Sequence, residues 1–245
     1  METSYTTTLL TLDPAISTGY CLTSIQVEDG FYISASIFEY GFIDVDTSSE
    51  FQGDWCIDLM RRVKELIDLY DVEHIAIEDY FFSKRFATGS NVNAAFRTAI
   101  HILSRQLDIE YTIINISAWK TFVAGRATPT KEQKKKWTAL HAKKLYIQEA
   151  LWTRRGFRFP NHSFSEKTKK PIAFRYDIVD VVGQAVYYCG LICGIRAISL
   201  DVEVPDDHLF KVKSKKVFDY RDYKAFSEKP SKKFVPRGKK GFKRR

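Results

Sequence analysis

Long hydrophobic runs are missing from this 245-residue chain: 44% of its residues are hydrophobic, yet no stretch approaches the roughly 18 apolar residues of a membrane-spanning helix. Cysteine is sparse. The four present (Cys21, Cys56, Cys189 and Cys193) include no C-x-x-C pair, and the five histidines are too scattered to complete a zinc pattern. A zinc module is excluded, and free thiols in a reducing compartment are expected. Cys189 and Cys193, one helical turn apart in an apolar stretch, read as small core residues rather than a redox pair. The opening METSYTTTLLTLD has no positively charged segment ahead of its apolar stretch and no small-residue cleavage site, so no secretory signal is expected and the chain is placed inside a cell. Internal repeats are also absent.

Acidic residues run short at the C-terminal end. Residues 211–245 hold fifteen Lys or Arg against three acids, a net +12, which leaves residues 1–210 at −4 within the total of +8. The closing KPSKKFVPRGKKGFKRR has few aliphatic side chains, two prolines and two glycines. It cannot bury enough apolar surface to offset its ordering entropy, so residues 201–245 are expected to be a disordered tail. A cationic arm on a polyanion is the functional reading, because each neutralised phosphate releases counterions. A solubilising tail and an address signal are the alternatives.

What remains, residues 1–200, is of a size for one α/β domain. Thr6 to Asp13 is a Thr/Leu run ending in Asp-Pro, and YCLTSIQV and GFYISASIFEYGFID alternate and carry aromatics, which predicts three antiparallel strands first. Thr47-x-x-Glu50 is a possible capping box, followed by Leu59, Val63, Leu66, Ile67 and Tyr70 at helical spacing. HIAIE (His74 to Glu78) reads as a buried parallel strand. Then come a helix marked by Val92, Ala95, Phe96, Ala99, Ile100 and Leu103, a fifth strand (Tyr111 to Ile116), and a third helix opened by Thr130-x-x-Gln133. Residues 153–175 are basic, carry two prolines and lack periodicity, predicting a loop insertion. Asp177 to about Ile195 is apolar almost all round and predicts a buried last helix.

A buried strand rarely ends in a carboxylate without a partner, because an unpaired charge in low dielectric is costly. Here Asp13 follows the first strand, Glu78 ends the fourth, and Asp177 and Asp180 sit three apart near the start of the last helix, on one face. If strands one and four are neighbours, these acids converge. Carboxylates so gathered repel unless cations bridge them, and hard oxygen donors suit Mg²⁺ or Mn²⁺. Two such ions, roughly 3.5–4 Å apart, support in-line phosphodiester hydrolysis. Taken singly, Asp13 could instead open an Asp-Pro turn and Asp177 could complement a helix dipole.

LDPAISTGY (Leu12 to Tyr20), AIEDYFF (Ala76 to Phe82), AWK with the following G-x-x-x-x-x-K (Ala118 to Lys120, Gly125 to Lys131) and DIVDVVGQAV (Asp177 to Val186) resemble, in family order, the motifs of RuvC-type Holliday-junction resolvases, the compact viral and phage members above all. The resemblance covers about residues 6–196. It implies an RNase H-like fold, here a five-stranded mixed sheet flanked by helices, and a homodimer that nicks two opposed strands of a four-way DNA junction with Mg²⁺. Asp13, Glu78, Asp177 and Asp180 become the metal ligands, and the compartment becomes the cytoplasm of a host or infected cell. Phe81 stands where the family has an aromatic reaching into the junction; adjacent aromatics at a strand end otherwise read as packing. Lys120 and Lys131 match family lysines near the scissile phosphate. Lys134, in the Lys134 to Lys136 run, is either a solvated face or a further phosphate contact. The family dimerises through the helix at about 90–107, which points to Asn93, Arg97 and Ile100 as an edge. Two departures stand out: Ala15 replaces a glycine common in the family, and Glu78 and Asp177 are 99 residues apart, the excess falling in the basic 153–175 segment.

Rival readings are a nuclease on the same core acting on flaps, forks or RNA–DNA hybrids, and a non-catalytic nucleic-acid-binding protein. An actin-type ATPase would need a second phosphate-binding lobe, for which the chain beyond Leu200 offers only a charged tail. Truncation after Leu209 is expected to weaken binding to all DNA alike and to flatten its salt dependence, leaving junction preference unchanged. Titrations at several salt concentrations check this; an unaltered salt slope would show that the tail does not touch DNA.

Overall fold

The computed structural model describes residues 3–79, 87–136, 139–157, 159, 163–164, 171–172 and 177–202, with the backbone alone at 87–90, 135–136, 139–145, 163–164, 171–172 and 177. Phe81, the 203–245 tail, most of the 153–175 segment and the side chain of Asp177 therefore lie outside the described residues.

Strands β1 (Ser4–Asp13), β2 (Ser17–Glu28) and β3 (Phe31–Asp44) form the antiparallel meander that their alternation predicts. Helix α1 (Gln52–Tyr70) returns the chain to β4 (Val72–Glu78), which lies parallel to β1 on its free side; α2 (Ala87–Gln106) leads to β5 (Glu110–Ile114), parallel to β4. After α3 (Ile116–Ala124), α4 (Lys131–Lys136), α5 (Ala139–Arg155), a two-stranded β6 (Ser163–Phe164) and β7 (Pro171–Ile172) ribbon, and α6 (Asp177–Tyr187) with a π-helical turn (Tyr188–Ile192), β8 (Ala197–Leu200) closes the sheet. The order is β5-β4-β1-β2-β3-β8, a mixed RNase H-like sheet.

Period-two alternation divides the core. Leu10, Leu12, Leu22, Ile75 and Ile77 face α1 and α2, where Leu59, Val63, Phe96 and Ile100 meet them. Leu9, Cys21, Ala76 and Ile114 face the other way, against Trp119 of α3, Ile147 and Leu151 of α5, and Val179, Val181 and Val182 of α6. Central strand β1 keeps Leu9, Leu10 and Leu12 fully buried, each worth roughly 1.5–3 kcal/mol against exposure.

Several expectations are corrected. The sheet has six strands rather than five: β8 adds parallel to β3, from Ser34↔Ala197 to Ile37↔Leu200. The Thr47-x-x-Glu50 box does not form; α1 starts at Gln52, and the turn before it is tied by the Trp55 indole donating to the Ser49 carbonyl at 2.9 Å and by Ser49 Oγ donating to Asp54. By contrast, Thr130 and Gln133 make a reciprocal capping box, both bonds 3.0 Å. The fifth strand ends at Ile114 rather than Ile116, and the chain then enters helix α3, begun by Asn115 Oδ1 accepting from the Ala118 N–H and ended by Gly125 at φ 75°. Residues 153–155 continue α5, which Gly156 ends at φ 72°. Ile100, expected at a dimer edge, is 1% exposed in the core.

All four cysteines are free thiols. Burial pushes Cys21 up to about 12 and Cys193 to about 11, and Cys189 well above its ordinary value. Among the described residues, no helix is long and apolar enough to cross a membrane.

Helices α3 and α6 approach each other through one small residue. A Cβ on Gly183 would sit 2.6 Å from Cζ3 of Trp119, a ring that is fully buried and has little room to retreat. Alanine is the better helix former by about 1 kcal/mol. Gly183→Ala is nevertheless expected to destabilise the fold by about 1–3 kcal/mol through overpacking. Urea unfolding checks it: unchanged or increased stability would show that the indole yields freely.

Candidate active site

The site begins with strand register. Leu12 pairs with Ile77 across the parallel β1–β4 ladder, so Asp13 and Glu78 are the next residues along two adjacent strands, whose backbones lie roughly 4.8 Å apart. Alternation puts Asp13 on the face of Leu9 and Thr11, and Glu78 on the face of Ala76. Both carboxylates thus start on the side of the sheet covered by α3, α5 and α6. The turn after Asp13 is closed by Thr18, whose hydroxyl donates to the Ala15 carbonyl at 2.6 Å and accepts from the Ala15 N–H at 3.1 Å. Ala15 is not among the positive-φ residues, so the position does not require glycine.

Helix α6 is set down beside these acids by a buried hydroxyl. Thr11 Oγ1, fully buried on β1, donates toward the Val181 carbonyl at 3.1 Å and has the Cys21 carbonyl at 3.3 Å. That contact anchors the residue next to Asp180 against the strand residue two before Asp13. Asp180 itself is 2% exposed. Asp177 is the first residue of α6, three before Asp180 and hence on the same helical face.

Two residues given no role from the sequence, Trp119 within the AWK motif and Tyr146, complete the surroundings. The Trp119 indole Nε1–H donates to Glu78 Oε1 at 2.7 Å. Tyr146 of α5 donates its hydroxyl to the Ala127 carbonyl at 2.8 Å, tying down the loop between α3 and α4. Burial, and then the negative charges of Asp180 and Glu78, raise the Tyr146 phenol above its ordinary range. Tyr146 is thus within electrostatic reach of both acids. The Asn115 and Gly125 caps are the sequence signals by which α3, and with it Trp119, was open to recognition.

The basic residues fall into two groups. Lys120 is half-buried, its Nζ 4.9 Å from the centroid of the Trp119 ring, on the helix that carries the Glu78 contact. Lys131 and Lys134 are exposed, one turn apart on α4, and that short helix is joined to α5 by Gln133 Nε2 donating to Glu149 Oε2 at 2.9 Å. Arg97 of α2 pairs with Asp79, the residue after Glu78, so its charge is engaged within the chain. Phe81 and the Asp177 side chain lie outside the described residues.

The donors at this site are carboxylate oxygens, the chemistry that suits Mg²⁺ or Mn²⁺ rather than a thiolate or imidazole metal. Among the described residues, whose side chains do not include that of Asp177, no three acids, histidines or cysteines are placed so that together they could hold a metal ion. By the chemistry of its donors, the set fits divalent ions.

A family model, crossover junction endodeoxyribonuclease RuvC, matches residues 9–148. No curated protein matches significantly. Among solved structures, RuvC from T. thermophilus in complex with a Holliday junction substrate aligns with TM-score 0.48 and 14% identity over 75% of this chain and 93% of that one. Thermus thermophilus RuvC in a second structure gives 0.47 and 14%, over 76% and 97%. The yeast mitochondrial Holliday junction resolvase gives 0.41 and 14%, over 71% and 74%.

Proposed function

Since the chain belongs to the crossover junction endodeoxyribonuclease RuvC family, we propose that it is a divalent-metal-dependent endonuclease that resolves four-way DNA junctions, as a homodimer, by paired phosphodiester hydrolysis. The observation that supports this reading is the parallel β1–β4 register, which sets Asp13 and Glu78 at neighbouring strand ends, while the Thr11–Val181 hydrogen bond brings α6 and its buried Asp180 to the same side of the sheet. With Asp177 one turn away, they would hold two ions, Mg²⁺ or Mn²⁺. Bound there, the ions would supply an activated water and neutralise charge on the leaving oxygen.

The other steps fall to the chain's own residues. Lys120, on the helix that contacts Glu78, offsets the charge of the phosphate being cut, and Lys131 and Lys134 bind the flanking backbone as point charges. Phe81, three residues after Glu78, is assigned to unstacking at the junction centre. A two-fold pair of chains would set one site on each of two opposed strands. With Ile100 in the core and Arg97 paired to Asp79, the surface of α2 left for a partner is the outward stripe of Asn91, Thr98, Ile102 and Arg105.

Asp13→Asn, Glu78→Gln, Asp177→Asn and Asp180→Asn each remove a charged ligand at constant volume. Each is expected to lower Mg²⁺-dependent junction cleavage by at least about 10²-fold while gel-shift binding persists. Near-normal cleavage by Glu78→Gln would sink the proposed centre. Pairing of the nicks is read from a cruciform-bearing plasmid, which coupled nicks linearise and independent nicks only relax. Linear product that disappears with chelator is the expected outcome. A monomer that only relaxes the plasmid, or prefers flaps or RNA–DNA hybrids, would leave a nuclease that is not a resolvase.

A further inference from the structure

We propose that Trp119 is a positioning residue for the catalytic centre: its indole N–H fixes the orientation in which Glu78 presents its carboxylate. The proposal rests on the reading of Glu78 as a metal ligand, and it concerns a residue outside the acid set.

Trp119 has little freedom. It is fully buried where α3 packs against the sheet and α6, and among the described residues it is the largest fully buried side chain. Its six-membered ring lies against Gly183, where even a methyl group would come within 2.6 Å, so α6 holds the ring from one side. The Asn115 cap fixes the start of α3 four residues earlier, by a 3.0 Å bond to the Ala118 N–H. What projects from this wedge is a single donor, Nε1–H, 2.7 Å from Glu78 Oε1. A Glu side chain has three rotatable torsions, and Glu78 ends its strand only partly buried. An immobile indole is therefore a stronger constraint on its carboxylate than the backbone can provide.

The donor is also of a suitable kind. Indole has one N–H and no acceptor, and it stays neutral at any working pH. It can bind one carboxylate oxygen without competing as a metal ligand and without adding a cation that would repel divalent ions. A lysine or arginine in its place would form an ion pair and oppose metal entry. The Gly183 contact further links the DIVDVVGQAV segment, which carries Asp177 and Asp180, to the orientation of Glu78 on another element. Trp119 is thus a second mechanical connection, beside the Thr11–Val181 hydrogen bond, between the strand-borne and helix-borne acids.

Trp119→Phe keeps an aromatic ring and removes the N–H. Measured on the full chain, at a temperature below the variant's own melting transition, it is expected to lower kcat for junction cleavage roughly 10- to 100-fold, the range for loss of a hydrogen bond to a charged group. It is also expected to raise the Mg²⁺ concentration at half-maximal rate severalfold, with junction affinity unchanged. A residue that only filled the core would lower the melting temperature and leave the Mg²⁺ midpoint where it was. Unchanged kcat and midpoint in a folded Trp119→Phe protein would overturn the proposal.

A second measurement needs neither activity nor a folded Trp119 variant. In ¹⁵N-labelled protein, the Trp119 indole N–H signal, identified by selective labelling, should be protected from solvent exchange and should move on Glu78→Gln substitution. The signals of Trp55 and Trp152 should stay in place. A Trp119 signal indifferent to Glu78→Gln would likewise overturn the proposal. Wild-type protein that cleaves no junction at any metal concentration would instead defeat the resolvase reading, and the indole signal would still decide whether Trp119 holds Glu78.

Discussion

Parallel pairing of β1 with β4 is the constraint on which the candidate site depends. A parallel ladder keeps residues in step at both ends, so the Leu12↔Ile77 pair delivers Asp13 and Glu78 at the same level on the same face. A slip of one residue would send one of the acids to the α1–α2 face, into a wall of Leu59, Val63 and Phe96. Alternation guards against that slip. Leu10, Leu12, Ile75 and Ile77 are each almost fully buried on the opposite face, and all would have to move into a layer already filled. The apolar residues of these strands thereby specify where two charged ones end up.

The second requirement is a helix that carries acids into the same region. Helix α6 meets it by being apolar along most of its length and acidic only at its first turn. Residues Ile178, Val179, Val181, Val182, Ala185 and Val186 anchor it against the sheet. Thr11 then sets its height through one hydrogen bond to the Val181 carbonyl, spanning 170 residues of sequence. An acidic first turn also sits favourably at the positive end of the helix dipole. The same helix accepts the Trp119 ring at Gly183, so its packing and its chemistry are hard to alter separately.

Around this centre, α3, α4 and α5 form a support for basic side chains. Arg154 of α5 donates to the Val123 carbonyl at 3.2 Å and Tyr146 to the Ala127 carbonyl at 2.8 Å, holding the end of α3 and the middle of the loop that separates it from Lys131. Such side-chain to backbone ties restrict the loop without consuming the charge of the lysines. The exposed ion pairs on α1, among Asp58, Arg61, Arg62, Lys64, Glu65 and Asp68, lie on the far layer and add little to stability. The far layer thus supplies packing, and the α3–α6 layer carries the candidate site.

Much of this was legible in the residues themselves. The alternation in β1, β2 and β3, the helical spacing in α1 and α2, the Thr130/Gln133 box and the acids at strand and helix ends are local patterns, each contained within one turn or one strand. The +12 charge of residues 211–245 is likewise a property of composition. Tertiary structure decided the rest. β8 is too short to announce itself and exists as a strand because β3 offers it an edge. Ile100 was assigned to a dimer edge because the resembled family dimerises through this helix, but only the packing of α2 against α1 and the sheet could say which way it turned. Trp119 and Glu78 are 41 residues apart, and Tyr146 meets the charges of Glu78 and Asp180 from a third element. Periodicity determines which residues share a face of one element. Which faces meet is set by pairing and burial across the whole chain, and at that level a buried tryptophan becomes a partner of a strand-end glutamate.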